Sequence, residues 1–237
     1  MGRRVSRNMT QGTTHFAPPL PSTGLRTISF RSKGSCRTEI VARPPQLPTG
    51  VRLQCESRLE DRVATVLLAE APLADLRDQY PHVDYVGLDG TRTSHTFDFL
   101  AVLSCGKRIA IAVKPYDLAL RHNLAATLSR IDVALPGRVA NRIALITDRD
   151  FNKVRAMNAS RFLDFQNHPD PEADSWLRVN HDALPNSATI RAIIEKSGLC
   201  GRMFRAAFRA IYRGPFTADL TQPISYHTTV TKEEAVQ

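Results

Sequence analysis

Between Gly106 and Pro115 the chain runs Lys107-Arg108-Ile109-Ala110-Ile111-Ala112-Val113-Lys114, apolar from Ile109 to Val113 with no polar alternate. A strand with one wet face alternates, so a run without alternation predicts a strand covered on both faces. Cys105-Gly106 turns the chain into it, and Pro115, which lacks a backbone N–H, stops it. The preceding stretch, Thr96 to Ser104, does alternate. It sets Phe97, Phe99 and Ala101 on one side, with Asp98, Leu100 and Leu103 interleaved. Two strands joined by a tight turn, one of them buried on both faces, call for helices above and below. The expected class is α/β.

The flanking patterns supply those helices. Leu59, Val63, Val66 and Leu67 recur at helical spacing over Ser57 to Ala69. Leu76 to Val86 reads as extended, through Tyr80, Val83, Tyr85 and Val86, and Gly87-Leu88-Asp89-Gly90 as a turn. Leu118 to Leu135 predicts a helix and Arg142 to Thr147 a short buried strand. Asp148 or Asp150 is the expected cap of a helix around Phe151–Met157. Further on, Thr189–Lys196 and Gly201–Tyr212 predict two helices about a tight Ser197-Gly198-Leu199 turn, of the helix-turn-helix kind. Pro215 to Val230 then reads as a β-wing. Arg202, Arg205, Arg209 and Arg213 step by three or four residues along one face of the second helix. Four arginines with no acid between them point to contact with phosphates or a protein partner, the plainer reading being a solvated helix face.

With 237 residues, 42% of them hydrophobic, the chain has room for one large or two small domains and a core of its own. No apolar stretch approaches ~18 residues, so no membrane span is expected. No apolar segment of the secretory type opens the chain. Cys36, Cys55, Cys105 and Cys200 form no CxxC pair, which speaks against a zinc site or a disulfide framework and for a cytoplasmic setting. The net charge of +9 sits mostly in residues 1–50, which hold eight Lys/Arg and one acid together with six prolines. The expected organisation is a basic, Pro-rich arm over 1–50, disordered or loosely docked. A catalytic-type domain over 51–170 and a small domain over 171–237 follow. The arm suits a phosphate backbone, or serves only as a solubilising tail.

Three positions carry the candidate chemistry: Glu60 at the head of the first helix, Asp98 in the alternating strand and Lys114 at the end of the apolar one. Two carboxylates and a lysine brought to one sheet edge can serve phosphodiester hydrolysis. That reaction needs a hard cation held by oxygen ligands and a positive group for the developing charge. The main-chain carbonyl of Val113 can add an oxygen ligand. Each residue has a plainer reading too. Ser57-x-x-Glu60 is a capping box, a strand aspartate is ordinarily solvated or paired, and a lysine at a strand end is ordinarily solvated. His95 precedes the aspartate and reads as structural.

Four local stretches resemble the TnsA-type transposon endonucleases. Glu56-Ser57-Arg58-Leu59-Glu60 resembles the opening of that family's catalytic helix, and Asp78-Gln79-Tyr80-Pro81 its Glu-Gln-aromatic-Pro strand. Thr96-Phe97-Asp98-Phe99-Leu100 resembles the motif with the central metal ligand, and Ile111-Ala112-Val113-Lys114-Pro115 the strand ending in Gln-Val-Lys-Pro. Leu145-Ile146-Thr147-Asp148 and the C-terminal helical region agree, so the likeness spans roughly residues 50–230. It implies a restriction-endonuclease-like core of the PD-(D/E)xK type, a mixed sheet flanked by helices, with a small winged-helix-like C-terminal domain. It further implies a bacterial, cytoplasmic DNA endonuclease that cuts 5′ strands at transposon ends, with Glu60, Asp98 and Lys114 catalytic. Mg²⁺ is the implied cofactor, with Mn²⁺ as a substitute. The implied partners are double-stranded DNA, an integrase-type TnsB-like transposase and a TnsC-like AAA+ regulator. One departure stands out: Ala112 occupies the place of the family's Gln or Glu, and a methyl binds neither metal nor water. Gln79 on a neighbouring strand is a weak substitute by motif. Two other readings are a non-catalytic assembly subunit with the same fold and a standalone restriction- or repair-type nuclease.

Overall fold

The computed structural model describes residues 17–25, 36–43 and 49–233. The other parts of the expected arm lie outside the described residues. Within 36–43, however, Thr38–Ala42 is a strand (β1) that pairs antiparallel with Val51–Cys55 (β2). This piece of the arm expected to be disordered or loosely docked is thus a paired strand. Leu20 and Ser22 also dock: Leu20 donates its N–H to the Gly50 carbonyl at 2.7 Å, and the Ser22 hydroxyl donates to Asp78 at 2.7 Å.

A four-stranded mixed sheet forms the centre. Its strands are Leu73–Asp78 (β3), Phe99–Leu103 (β6), Arg108–Val113 (β7) and Arg142–Ile146 (β8), side by side in the order β3-β6-β7-β8. The pairs β3/β6 and β6/β7 are antiparallel and β7/β8 is parallel. Its two faces follow from the two-residue period of a strand. Leu76, Phe99, Ala101, Ile111 and Val113 point toward helix α1 (Arg58–Glu70), meeting Val63 and Ala64. Leu100, Ala110 and Ala112 point the other way, to Leu128 and Ile131 of α3 (Leu124–Ala134) and to Val83. Val83 belongs to a separate antiparallel pair, His82–Val86 (β4) with Arg92–Thr96 (β5). The apolar run is thus covered on both faces.

Four local expectations change. The extended stretch Leu76–Val86 breaks at Gln79, whose φ is 47°, and at a cis Tyr80–Pro81 bond, so that β3 and β4 enter different sheets. The stretch Thr96–Ser104 breaks at Phe97–Asp98. Asp98 lies in a bend between β5 and β6, and Phe97 and Phe99 end on opposite faces of the sheet. The single helix over Leu118–Leu135 is two, α2 (Tyr116–Arg121) and α3, because Asn123 takes a left-handed conformation with φ 45°. The helix α4 (Lys153–Gln166) is capped by Asn152, which accepts from the Arg155 N–H at 2.7 Å, and not by an aspartate. Asp150 instead closes a turn on Thr147, and Asp148 accepts from the Tyr116 N–H at 2.7 Å. The loops after β7 and β8 are thereby clasped together.

The C-terminal part adds α5 (Pro171–Asn180), a short strand Ser187–Thr189 (β9), α6 (Ile190–Ser197) and α7 (Cys200–Arg213). Phe216–Thr217 (β10) and Thr229–Lys232 (β11) complete it, and with β9 they form an antiparallel sheet in the order β10-β11-β9. Gly198, at φ 70°, ends α6 with its N–H on the Ile194 carbonyl, as the turn predicted. Helix α5 and strand β9 were not expected. This body shares one apolar cluster with the core: Ala69 of α1 and Ala159 and Phe162 of α4 sit among Ile193, Met203, Phe208 and Val230. Arg155 of α4 pairs with Glu70 at the far end of α1. Among the described residues no helix is long and apolar enough to cross a membrane.

Phe162 is fully buried and stacks on Tyr212 with ring centroids 4.4 Å apart, joining α4 to α7. Phe162→Ala is expected to cost ~3–5 kcal/mol. A urea unfolding midpoint left unchanged by the substitution would contradict this shared core.

Candidate active site

Asp98 occupies the end of the sheet where β3 and β7 finish and β6 begins. Three hydrogen bonds fix it there. Its Oδ2 accepts from the Val113 N–H at 2.6 Å, its N–H donates to the Ile111 carbonyl at 3.0 Å, and its carbonyl accepts from the Gln79 N–H at 2.8 Å. Its other carboxylate oxygen has no hydrogen-bond partner among the described residues. A residue in an extended strand directs its N–H and C=O to the same side. The Val113 carbonyl is therefore directed to the side of β7 on which Asp98 lies.

Glu60 reaches the site from the first turn of α1. Ser57 caps this helix, accepting from the Glu60 N–H at 3.2 Å, while the Glu60 carboxylate accepts from the Ser57 hydroxyl at 2.9 Å and the Glu56 N–H at 2.7 Å. The capping-box reading is thus realised. Glu60 is only 6% exposed, and its charge is felt by Asp98. Capping and a place beside Asp98 are compatible. Lys114 is exposed, its N–H held by the Ile146 carbonyl at 3.1 Å.

The electrostatics tie these groups together. Burial first, and the Glu60 charge second, push the Asp98 carboxyl up to about 7, against the Val113 hydrogen bond and the Lys114 charge, which pull it down. Glu60 is also raised, mainly by burial, and there too Lys114 opposes the shift. Glu56, which the sequence reading gave no role, adds negative charge to both. His95 belongs to the same neighbourhood. Burial, then Lys114, then His82 lower its pKa, its ring meets Phe97 edge-on at 4.8 Å, and among the described residues its Nε2 has no hydrogen-bond partner. No local pattern distinguishes such a histidine from a structural one, because its position depends on the β4–β5 pair lying against Lys114. Ala112 is 2% exposed and its methyl lies in the apolar cluster toward α3, so position 112 contributes no donor.

Glu60, Asp98 and the Val113 carbonyl form an all-oxygen set, the kind a hard divalent cation takes. Among the described residues no group of three or more His, Cys, Asp or Glu side chains is gathered as a metal cluster. The protein donors here amount to two carboxylates and a main-chain oxygen. That count suits Mg²⁺, which keeps much of its water shell.

The arginines of α7 lie elsewhere, and most are engaged within the chain. Arg202 binds Asp170 at 2.7 Å and Glu172 at 2.7 Å, and Arg209 binds Asp174 at 2.6 Å and the Phe165 and His168 carbonyls. Arg213 donates to the Leu68 and Tyr212 carbonyls and lies over the Phe162 ring at 4.9 Å. Among the described residues Arg205 alone of the four has no hydrogen bond or ion pair. Arg213 is thus held by the end of α1 and its own helix, and Arg202 and Arg209 by acids at the start of α5. A signal for that helix was present, since Asp170-Pro171-Glu172-Ala173-Asp174 has the cap, the N1 proline and the acidic first turn of a helix start.

Compared with known proteins, the chain matches no family model and no curated protein.

A raised carboxyl pKa means that the folded state holds a proton which the unfolded chain, with a pKa near 3.9, gives up more readily. Asp98 therefore costs the fold stability as pH rises from about 4 to about 7. Asp98→Asn, which mimics the neutral form, is expected to raise unfolding free energy by ~2–4 kcal/mol at pH 8 and by little at pH 4. Denaturant titrations at the two pH values measure this, and an equal effect at both would contradict the burial of the charge.

Proposed function

We propose that the chain is a metal-dependent DNA endonuclease of the TnsA type. It would cut 5′ strands at transposon ends as the partner of an integrase-type, TnsB-like transposase, with a TnsC-like AAA+ regulator in the same assembly. In this reading the mixed sheet with its helices is a restriction-endonuclease-like core of the PD-(D/E)xK type, and α6, α7 and β9–β11 form a winged-helix-like domain. One observation carries the proposal. Glu60 from α1, Asp98 from the start of β6 and Lys114 from the end of β7 come to one edge of the sheet, within electrostatic reach of one another. The motif resemblances around each of the three support it.

Glu60, Asp98 and the Val113 carbonyl would hold the cation. When bound, Mg²⁺ polarises the scissile phosphate and lowers the pKa of an attacking water. Asp98 must be ionised to act as a ligand, so cation affinity rises with pH through about 7. Lys114 presents its ammonium to the same edge from an exposed position, where it meets the charge that develops on a phosphate oxygen. The lowered pKa of His95 favours a neutral ring, so no second positive charge competes beside Lys114.

The test is reconstitution of the full chain with an integrase-type transposase, on transposon-end DNA in Mg²⁺, scoring 5′-strand cleavage. Asp98→Ala and Lys114→Ala are expected to lower cleavage by ~10²-fold or more with the fold intact. Wild-type cleavage by Asp98→Ala would sink the nuclease reading, and cleavage without the transposase would favour a standalone nuclease. A second reading, a non-catalytic assembly subunit, draws support from the buried methyl of Ala112. It predicts a silent wild type and cleavage restored by Ala112→Gln.

A further inference from the structure

The amide that position 112 lacks has a counterpart on the other side of Asp98. The register of β3 and β6 pairs Asp78 with Phe99, and that of β6 and β7 pairs Phe99 with Ile111. Both ladders stop there: Asp98 lies in the bend before β6, where its carbonyl accepts from the Gln79 N–H at the end of β3 and its own N–H donates to the Ile111 carbonyl of β7.

Three features set Gln79 apart. It is 2% exposed, and among the described residues its Nε2 has no hydrogen-bond partner. A buried amide donor without a partner costs about 1–3 kcal/mol, so it is rare unless something else binds it. Its φ of 47° is left-handed, a region that long side chains seldom occupy. Two backbone bonds hold it there: its N–H goes to Asp98, and its carbonyl accepts from the Leu25 N–H at 3.3 Å. A strained, clamped residue with an unpartnered donor beside a candidate site is the pattern of a positioning group.

We infer that Gln79 is a positioning residue of this site, whose side-chain amide donates a hydrogen bond to the oxygen approaching Asp98, a phosphate oxygen of the DNA or the attacking water. This rests on the nuclease reading and deepens it. The amide acts from the β3 side of Asp98, so the site does not need a polar residue at 112, and Ala112 is free to pack toward α3.

The experiment uses the full chain in wild-type, Asp98→Ala, Gln79→Ala, Gln79→Glu and Gln79→Ala/Ala112→Gln forms, each checked by thermal melting. The side-chain NH₂ resonances of Gln79, identified by their loss in Gln79→Glu, are followed by NMR on titration with a short DNA duplex in Ca²⁺, which permits binding without turnover. They are expected to shift in wild type; no shift overturns the inference whether or not the protein cuts. In the transposase-dependent assay Gln79→Ala and Gln79→Glu are expected to lower the maximal rate by ~10- to 100-fold with little change in DNA affinity. Ala112→Gln is expected to recover at least part of that loss, which a merely structural role for Gln79 does not allow. Should Asp98→Ala be inactive while both Gln79 variants cut at the wild-type rate, the nuclease reading stands and this inference falls. Should Asp98→Ala cut like wild type, the nuclease reading itself falls.

Discussion

The hydrogen bond from the Val113 N–H to the Asp98 carboxylate is the interaction on which the geometry of the candidate site depends. It forms because β6 begins after a bend, so that a side chain takes the position a strand neighbour would fill at the end of β7. That one bond orients Asp98, directs the Val113 carbonyl to the same side and sets the place where Lys114 leaves the sheet. The carboxyl is half-buried there, and its charged form is correspondingly disfavoured. The same low-water surroundings that raise its pKa make any cation or phosphate nearby feel its charge more strongly.

Much of the central fold was legible in the sequence because burial leaves a periodic trace. The unbroken apolar run became β7, covered on both faces. The helical spacing of Leu59, Val63 and Val66 became α1, and Ser57 capped it as its type and position indicate. The breaks were not legible. Gln79 and Asn123 are left-handed without being glycine, and no local preference of Gln announces such a conformation. The bend at Phe97–Asp98 was hidden as well, because alternation continues through it while the chain passes from one sheet to another. An alternating pattern reports that faces differ; it does not report which face belongs to which layer.

At the site the positions of Glu60, Asp98 and Lys114 were readable through order and residue type, but their coupling was not. Glu56 joins locally, four residues before Glu60, while His95 and Gln79 join through the way the strands around Asp98 are brought together. The arginines of α7 show the opposite case. Their spacing was legible and their engagement was not, because the acids that hold Arg202 and Arg209 lie thirty or more residues earlier in the chain. A charged stripe on one helix says little until the helix that faces it is known.

Helix α1 begins at the candidate site and ends in the other core. Glu60 occupies its first turn, whereas Ala69 is embedded among the C-terminal residues and Glu70 is tied to α4. Thirteen residues of α-helix make a stiff rod about 20 Å long. A body that presses on or tilts the C-terminal half therefore has a lever on Glu60, with the sheet beneath Val63 and Ala64 as its fulcrum.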